Sequence, residues 1–237
     1  MPSRAIAEPP HRSPARSAAY AALAWLAVVA AAACAPERPA LVHRPEPPVD
    51  ALLIRHVGVL DVAAGRRIAD RDVLVRGDRI AAIGLGGDLP APPGAVEIDG
   101  GGATLLPGLI DVHGHVAIDS APSWESGMAD VEANLRAFLY AGVTTILDPG
   151  DGSGEAATRR ERIARGELLG PRIYTAGRLV TAPGGHPIPL LETSLPWWLE
   201  WYVIPRVADP IGSPEAARRI VEARAEADVD FVKLIVD

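Results

Sequence analysis

The hydrophobic pattern changes character along the chain. Residues 18–35 form a single apolar run. From residue 51 to about 104 the apolar positions come in short stretches broken by glycine, proline and charge. That pattern predicts strands at 52–60 and 96–98, and a hairpin over 72–83 that turns at Gly77-Asp78. Beyond it, nearly continuous apolar strands alternate with helix-like segments. Strands are predicted at 105–116, 143–148, 172–180 and 231–236. Helices are predicted at 128–141, stopped by Gly142, and at 154–165, stopped by Gly166. A third helix opens at Ser213, with Pro214 at its first position, and runs to about 227. Strands that are apolar on both faces and separated by helices belong to parallel α/β architecture.

The predicted strand at 105–116 carries the most chemistry. It leaves a Pro-Gly turn and ends in Asp111-Val-His113-Gly-His115. Alternation along a strand puts Asp111, His113 and His115 on one face, with Ile110, Val112 and Gly114 on the other. The second face is then expected to lie under helices. Imidazoles at i and i+2 sit about 6–7 Å apart, within reach of one cation. An isolated His-x-His is common at strand ends; the aspartate on the same face, the preceding turn and the βα pattern that follows favour a metal site. Cys34 is the one cysteine, so neither a disulfide framework nor a thiolate site is available and any metal takes nitrogen and oxygen donors. Such donors suit zinc, with manganese and iron as further candidates. Hydrophobic residues make up 49% of the chain and charged residues 22%, a globular composition. The net charge of −7 and the lack of a basic run argue against a nucleic-acid partner.

Pro107-Gly-Leu-Ile-Asp-Val-His-Gly-His115 resembles the first barrel strand of the metal-dependent amidohydrolase superfamily, in the branch of imidazolonepropionases and Xaa-Pro dipeptidase-like enzymes. The resemblance runs from about residue 51 onward. It implies a small β-sandwich segment at 51–106, followed at 107–237 by the first half of a (β/α)8 TIM-type barrel. A whole barrel takes about 250 residues, so strands one to four alone are expected, with open apolar edges on the first and fourth. A truncated N-terminal portion is the first reading of this and a half barrel completed by a second chain the other. In that family the sandwich is completed by strands from after the barrel.

Asp230-Phe-Val-Lys233 resembles the family's fourth-strand motif, which carries a carboxylated lysine. A neutral amine adds carbon dioxide and releases a proton, and the resulting carbamate offers two oxygens to bridge metal ions. A lysine that snorkels from the strand end or pairs with Asp237 is the alternative. His113, His115 and Lys233 are therefore the expected metal ligands. Further histidines from the fifth and sixth strands and an aspartate general base from the eighth are implied by the family but fall beyond position 237, so this polypeptide alone is expected to be nearly inactive. The implied reaction is hydrolysis of a C–N bond in a small-molecule, dipeptide or cyclic amide substrate, by metal-activated water. The rival reading is a non-catalytic, lipid-anchored binding remnant.

Other positions carry less. His186, in Thr181-Ala-Pro-Gly-Gly-His186, follows the third strand and is either a substrate contact or a solvated loop residue. Asp111 either orients an imidazole or makes a structural hydrogen bond. Asp148 and Asp151 flank Pro149-Gly150 after the second strand; they could reach the barrel mouth, but solvated turn carboxylates are the commoner outcome. Segment 182–212, with Trp197, Trp198, Trp201 and Tyr202, is a lid, a helix-packing surface or a membrane contact.

At the N-terminus, arginines at 4, 12 and 16 precede the apolar run. Ala31-Ala-Ala-Cys34 resembles a bacterial lipobox, making 1–34 a lipoprotein-type signal peptide with Cys34 the lipidated residue. The run is also just long enough for an uncleaved membrane anchor. Both readings export the domain to the periplasm or cell envelope. Residues 35–50 are rich in proline and charge and form an extended tether.

Overall fold

The computed structural model describes residues 41–44, 49–118, 130–151 and 154–236. The signal segment, Cys34 and most of the tether lie outside them. No helix among the described residues is long and apolar enough to cross a membrane.

The first region is a five-stranded sheet. Strands β1 (Ala51–Asp61), β2 (Arg66–Arg76) and β3 (Arg79–Leu85) form an antiparallel meander, and its second turn falls at Gly77-Asp78 as expected. Strands β4 (Val96–Asp99) and β5 (Thr104–Leu105) pair parallel to β1. Ala51, Leu53 and Leu74 are buried beneath Ala82, Leu89 and Ala95. A single sheet is present; the second layer of a sandwich is not among the described residues.

The second region is built from βα units. Strands β6 (Leu109–Asp111), β7 (Val143–Asp148) and β8 (Arg172–Thr175) form a parallel sheet in that order. Helix α1 (Val131–Tyr140) links the first pair, and α2 (Ala156–Ala164) links the second. The Asp130 side chain caps α1 by accepting the Ala133 amide at 2.9 Å. Gly142 follows its C-terminal end at φ +83°, a conformation that favours glycine. Leu135 of α1 packs with Val116, Ile146, Leu168 and Ile173, all buried. Period-two burial in β7 and β8 therefore turns Ile146, Asp148, Ile173 and Thr175 to the buried side.

The third predicted strand breaks. After β8 the chain turns at Gly177 (φ +64°) and resumes as β9 (Leu179–Thr181), which pairs parallel to β10 (Ala208–Pro210). Between them lie two short helices, α3 (Ile188–Ser194) and α4 (Trp197–Val207), so segment 182–212 is structured. Helix α5 (Pro214–Glu226) starts where expected, with the Ser213 hydroxyl accepting the Ala216 amide. The predicted strand at 231–236 is reduced to one parallel bridge, Val180 to Leu234. Two hydrogen bonds of 2.9 Å frame that bridge, Val180 N–H to Lys233 and Ile235 N–H to Val180. Apolar character alone does not make a strand; a ladder needs a partner along its whole length, and β9 offers three residues.

Among the described residues no helix covers the face opposite Asp111: Ile110 of the edge strand β6 and Val112 just beyond it are exposed. Leu109, Leu234 and Val236 are exposed as well.

Candidate metal centre

Strand β6 ends at Asp111, two residues before the first histidine. The chain bends at Val112-His113 and rejoins the sheet at Gly114, whose N–H donates to the Leu147 carbonyl at 3.1 Å. Strict alternation therefore does not carry through to His115. The bend explains the glycine. A Cβ at position 114 would lie 2.7 Å from Ile146 Cδ1 and 3.0 Å from Asp111 Oδ2, so a larger residue would force the bend off the sheet. The Asp111 carboxylate accepts the His113 amide at 3.0 Å. Of its two expected roles it takes the structural one, holding the turn rather than a ring.

The two imidazoles nevertheless come together. Their ring centroids are 5.7 Å apart with planes inclined at 73°. A zinc ion about 2 Å from one nitrogen of each ring would set the centroids about 5–6 Å apart. His113 is exposed and His115 half-buried.

The residue that orients a ring is Asp148. It is fully buried at the end of β7, where its Oδ1 lies 3.2 Å from His115 Nδ1. The same carboxylate accepts the Gly150 amide at 3.1 Å and the Val116 amide at 3.4 Å. The expectation of a solvated turn carboxylate is wrong here. A usable signal was present: Asp148 is two residues beyond Ile146, so strand parity places it on the buried face. Asp151 is buried as well, with its amide on the Gly177 carbonyl and its carboxylate 3.3 Å from Arg159.

The hydrogen bond that Nδ1 gives to the Asp148 carboxylate holds the His115 pKa above the ordinary imidazole value. Partial burial opposes this, the negative charge of Asp148 and the Gly150 backbone add to it, and the positive charge of Lys233 lowers it. Lys233 thus lies near enough for its charge to act on His115. It is half-buried, and its carbonyl accepts the Val180 amide. His186 is exposed in the turn between β9 and α3. Beside His115 is a cleft of about 350 Å³, lined by Ile118, Asn134, Ala137, Phe138 and Ala141 as well as the ring itself.

The donor set fits a divalent cation in part. Two neighbouring imidazoles, one braced by a buried carboxylate, are what a zinc site uses. Among the described residues, however, no three His, Cys, Asp or Glu side chains are grouped to hold a metal.

No family model matches the chain. Curated relatives do. An adenine deaminase of Mesorhizobium japonicum is 36% identical over 99 residues, 41% of this chain and 15% of that protein. An imidazolonepropionase of Rubrobacter xylanophilus is 42% identical over 120 residues, 45% of this chain and 27% of its own length. The relatives of this chain are amidohydrolases. A prolidase candidate from Bifidobacterium longum superposes with a TM-score of 0.61 at 27% identity, over 81% of this chain and 42% of that one. A Xaa-Pro dipeptidase with methionine in its active site shares the fold, with a TM-score of 0.58 over 78% of this chain and 46% of the other. The chain thus spans less than half of each of these amidohydrolases. The β1–β5 sheet followed by βα units is a mixed α/β arrangement consistent with part of an amidohydrolase.

Proposed function

We propose that this chain supplies the first part of a metal-dependent hydrolase that cleaves C–N bonds in a small amide, dipeptide or cyclic amide. The observation that carries the reading is the pair of imidazoles 5.7 Å apart, with His115 held at Nδ1 by the buried Asp148. Relatives that include an adenine deaminase, an imidazolonepropionase and an N-acyl-D-glutamate deacylase support the bond class. The βα units are the opening strands of a (β/α)8 barrel in this reading, and the β1–β5 sheet is one layer of a sandwich.

His113, His115 and Lys233 are the residues that would hold the cation, zinc being the best match to nitrogen donors. When bound, such an ion lowers the pKa of water toward neutrality and polarises a scissile carbonyl. With Nδ1 engaged by Asp148, the nitrogen of His115 left for a cation is Nε2. Asp148 fixes the ring's tautomer and orientation and increases its basicity. Lys233 joins as its carbamate, formed by adding carbon dioxide to the neutral amine with loss of one proton. Asp111 keeps the turn that presents His113. The largely apolar cleft beside His115 flanks one side of the ring. His186 serves as a substrate contact. The group that would move the substrate's proton is not assigned among the described residues. The domain is exported and held at the cell envelope by a lipid on Cys34.

Metal analysis and calorimetric zinc titration of the purified chain test this reading. One zinc per chain is expected, with His113→Ala and His115→Ala each weakening binding at least about ten-fold. Unchanged affinity in both variants would remove the metal centre and leave a non-catalytic binding remnant. A screen of dipeptides and cyclic amides then reads the bond class.

A further inference from the structure

Helix α4 (Trp197–Val207) differs from the other helices among the described residues: none of its residues is buried. Its inner side, through Ile204 and Val207, meets the small cluster of Leu179, Ile188 and Ala208. Its outer side presents Trp197, Trp198, Trp201 and Tyr202 at i, i+1, i+4 and i+5, which is one face of a helix. Trp197 is 81% exposed and Trp201 is 74% exposed. Leu190 of α3 is exposed as well. Trp201 meets Tyr202 edge to face at 5.8 Å, and the Arg206 guanidinium lies 3.6 Å above the Tyr202 ring.

Three indoles and a phenol left in water are costly, since each offers some 150–250 Å² of surface for burial. A contiguous exposed patch of this kind marks a protein or a membrane contact. Two observations favour the membrane. The first is composition: the rings are Trp and Tyr, whose apolar body and polar tip suit the headgroup boundary. The second is the segment that precedes the described residues. With the proposed lipid on Cys34, residues 35–50 would be the whole length of chain between the bilayer and β1, a reach of at most about 50 Å. At that range a weak interfacial helix is at high effective concentration.

We infer that the aromatic face of α4 lies in the interface of the membrane that carries the chain, with Trp197, Trp198 and Trp201 at the headgroup–acyl boundary. The inference rests on the proposed envelope anchoring but not on the metal centre. Residues 188–207 carry two acidic side chains, Glu192 and Glu200, and one basic, Arg206, which is held on the Tyr202 ring and carbonyl. The contact is therefore apolar rather than electrostatic, and salt will not release it.

The chain has five tryptophans. Replacing two of them, Trp25→Phe and Trp124→Phe, leaves only the three of α4 as reporters. The full-length chain is reconstituted into vesicles of phosphatidylethanolamine and phosphatidylglycerol, with or without bromine near the top of the acyl chains. The expected result is a blue shift and about a two-fold loss of emission in brominated vesicles, unchanged in roughly 0.5 M salt. Vesicle flotation, together with a Cys34→Ser variant, reads the anchor separately. A chain that floats while its tryptophans stay unquenched overturns the inference and keeps the anchor. A chain that neither floats nor is quenched overturns both. Emission already blue-shifted without vesicles and untouched by bromine means that a protein surface, such as a second copy, covers the face, which also overturns it.

Discussion

The sheet region and the βα region each hold a fully buried aspartate in nearly the same setting, Asp72 in the first and Asp148 in the second, where Asp151 is buried beside it in chain order. Asp72 accepts the amides of His56 at 3.1 Å and Gly87 at 2.9 Å, and takes Nη1 of Arg55 at 2.9 Å. Asp148 accepts two amides and one histidine nitrogen. What differs is the side-chain partner. Arg55 spends its other donors on Glu97 at 2.5 Å and the Leu89 carbonyl at 3.1 Å, and a guanidinium stays charged at any ordinary pH. His115 has a second ring nitrogen, and an imidazole, unlike a guanidinium, can give up its charge in the ordinary pH range. The same carboxylate cradle is thus a structural lock in one region and a ligand brace in the other. The partner's remaining valence decides which.

The largest effect expected from breaking this parallel is in the sheet. Asp72→Ala strands a partly buried arginine and two inward amides and should cost about 3 kcal/mol, read by urea denaturation, with zinc binding unaffected. The pH dependence points the same way. Burial pushes the Asp72 carboxyl up, but the His56 and Gly87 amides together with Arg55 outweigh it, so its pKa lies below the usual carboxylate value. A depressed folded pKa stabilises fully above the unfolded value and is lost as pH falls through the folded one. Denaturation midpoints should therefore decline below about pH 4 in the parent chain and less steeply in Asp72→Ala. A parallel decline in both would remove Asp72 as the cause.

Asp148→Asn should act on the ligand rather than the fold. Zinc affinity falls about ten- to a hundred-fold. The His115 pKa moves down, because the hydrogen bond and charge that raise it are gone, and NMR titration of the imidazole Cε1–H reads this directly. A stability loss as large as that of Asp72→Ala, with zinc affinity intact, would make the two aspartates equivalent and end the distinction. The smallest effect belongs to the open edge: Ile110→Thr on β6 should change stability by less than about 0.5 kcal/mol, since the side chain is already in water. A larger loss would mean that another surface covers that edge in solution.

Much of this was legible in the residues themselves. The Gly77-Asp78 hairpin, the strand at 143–148, the Ser213 cap and the helix stop at Gly142 follow from backbone chemistry that acts within a few positions, so local sequence suffices. The His-x-His pair was equally plain, because two imidazoles two residues apart stay neighbours whether the chain between them runs straight or bends. Local pattern could not say which aspartate serves the ring. Asp111 is close in sequence, yet the bend at Val112-His113 turns it to the backbone, while Asp148 arrives from the next strand, 33 positions away. The fate of segment 231–236 was beyond local pattern too, since a strand exists only along the length of its partner. Composition and short-range geometry thus settled which groups can do chemistry. The burial of Asp72 and Asp148, and the exposure of Ile110 and Trp197, depend on which surfaces meet across the sheet, and only the folded chain decides that.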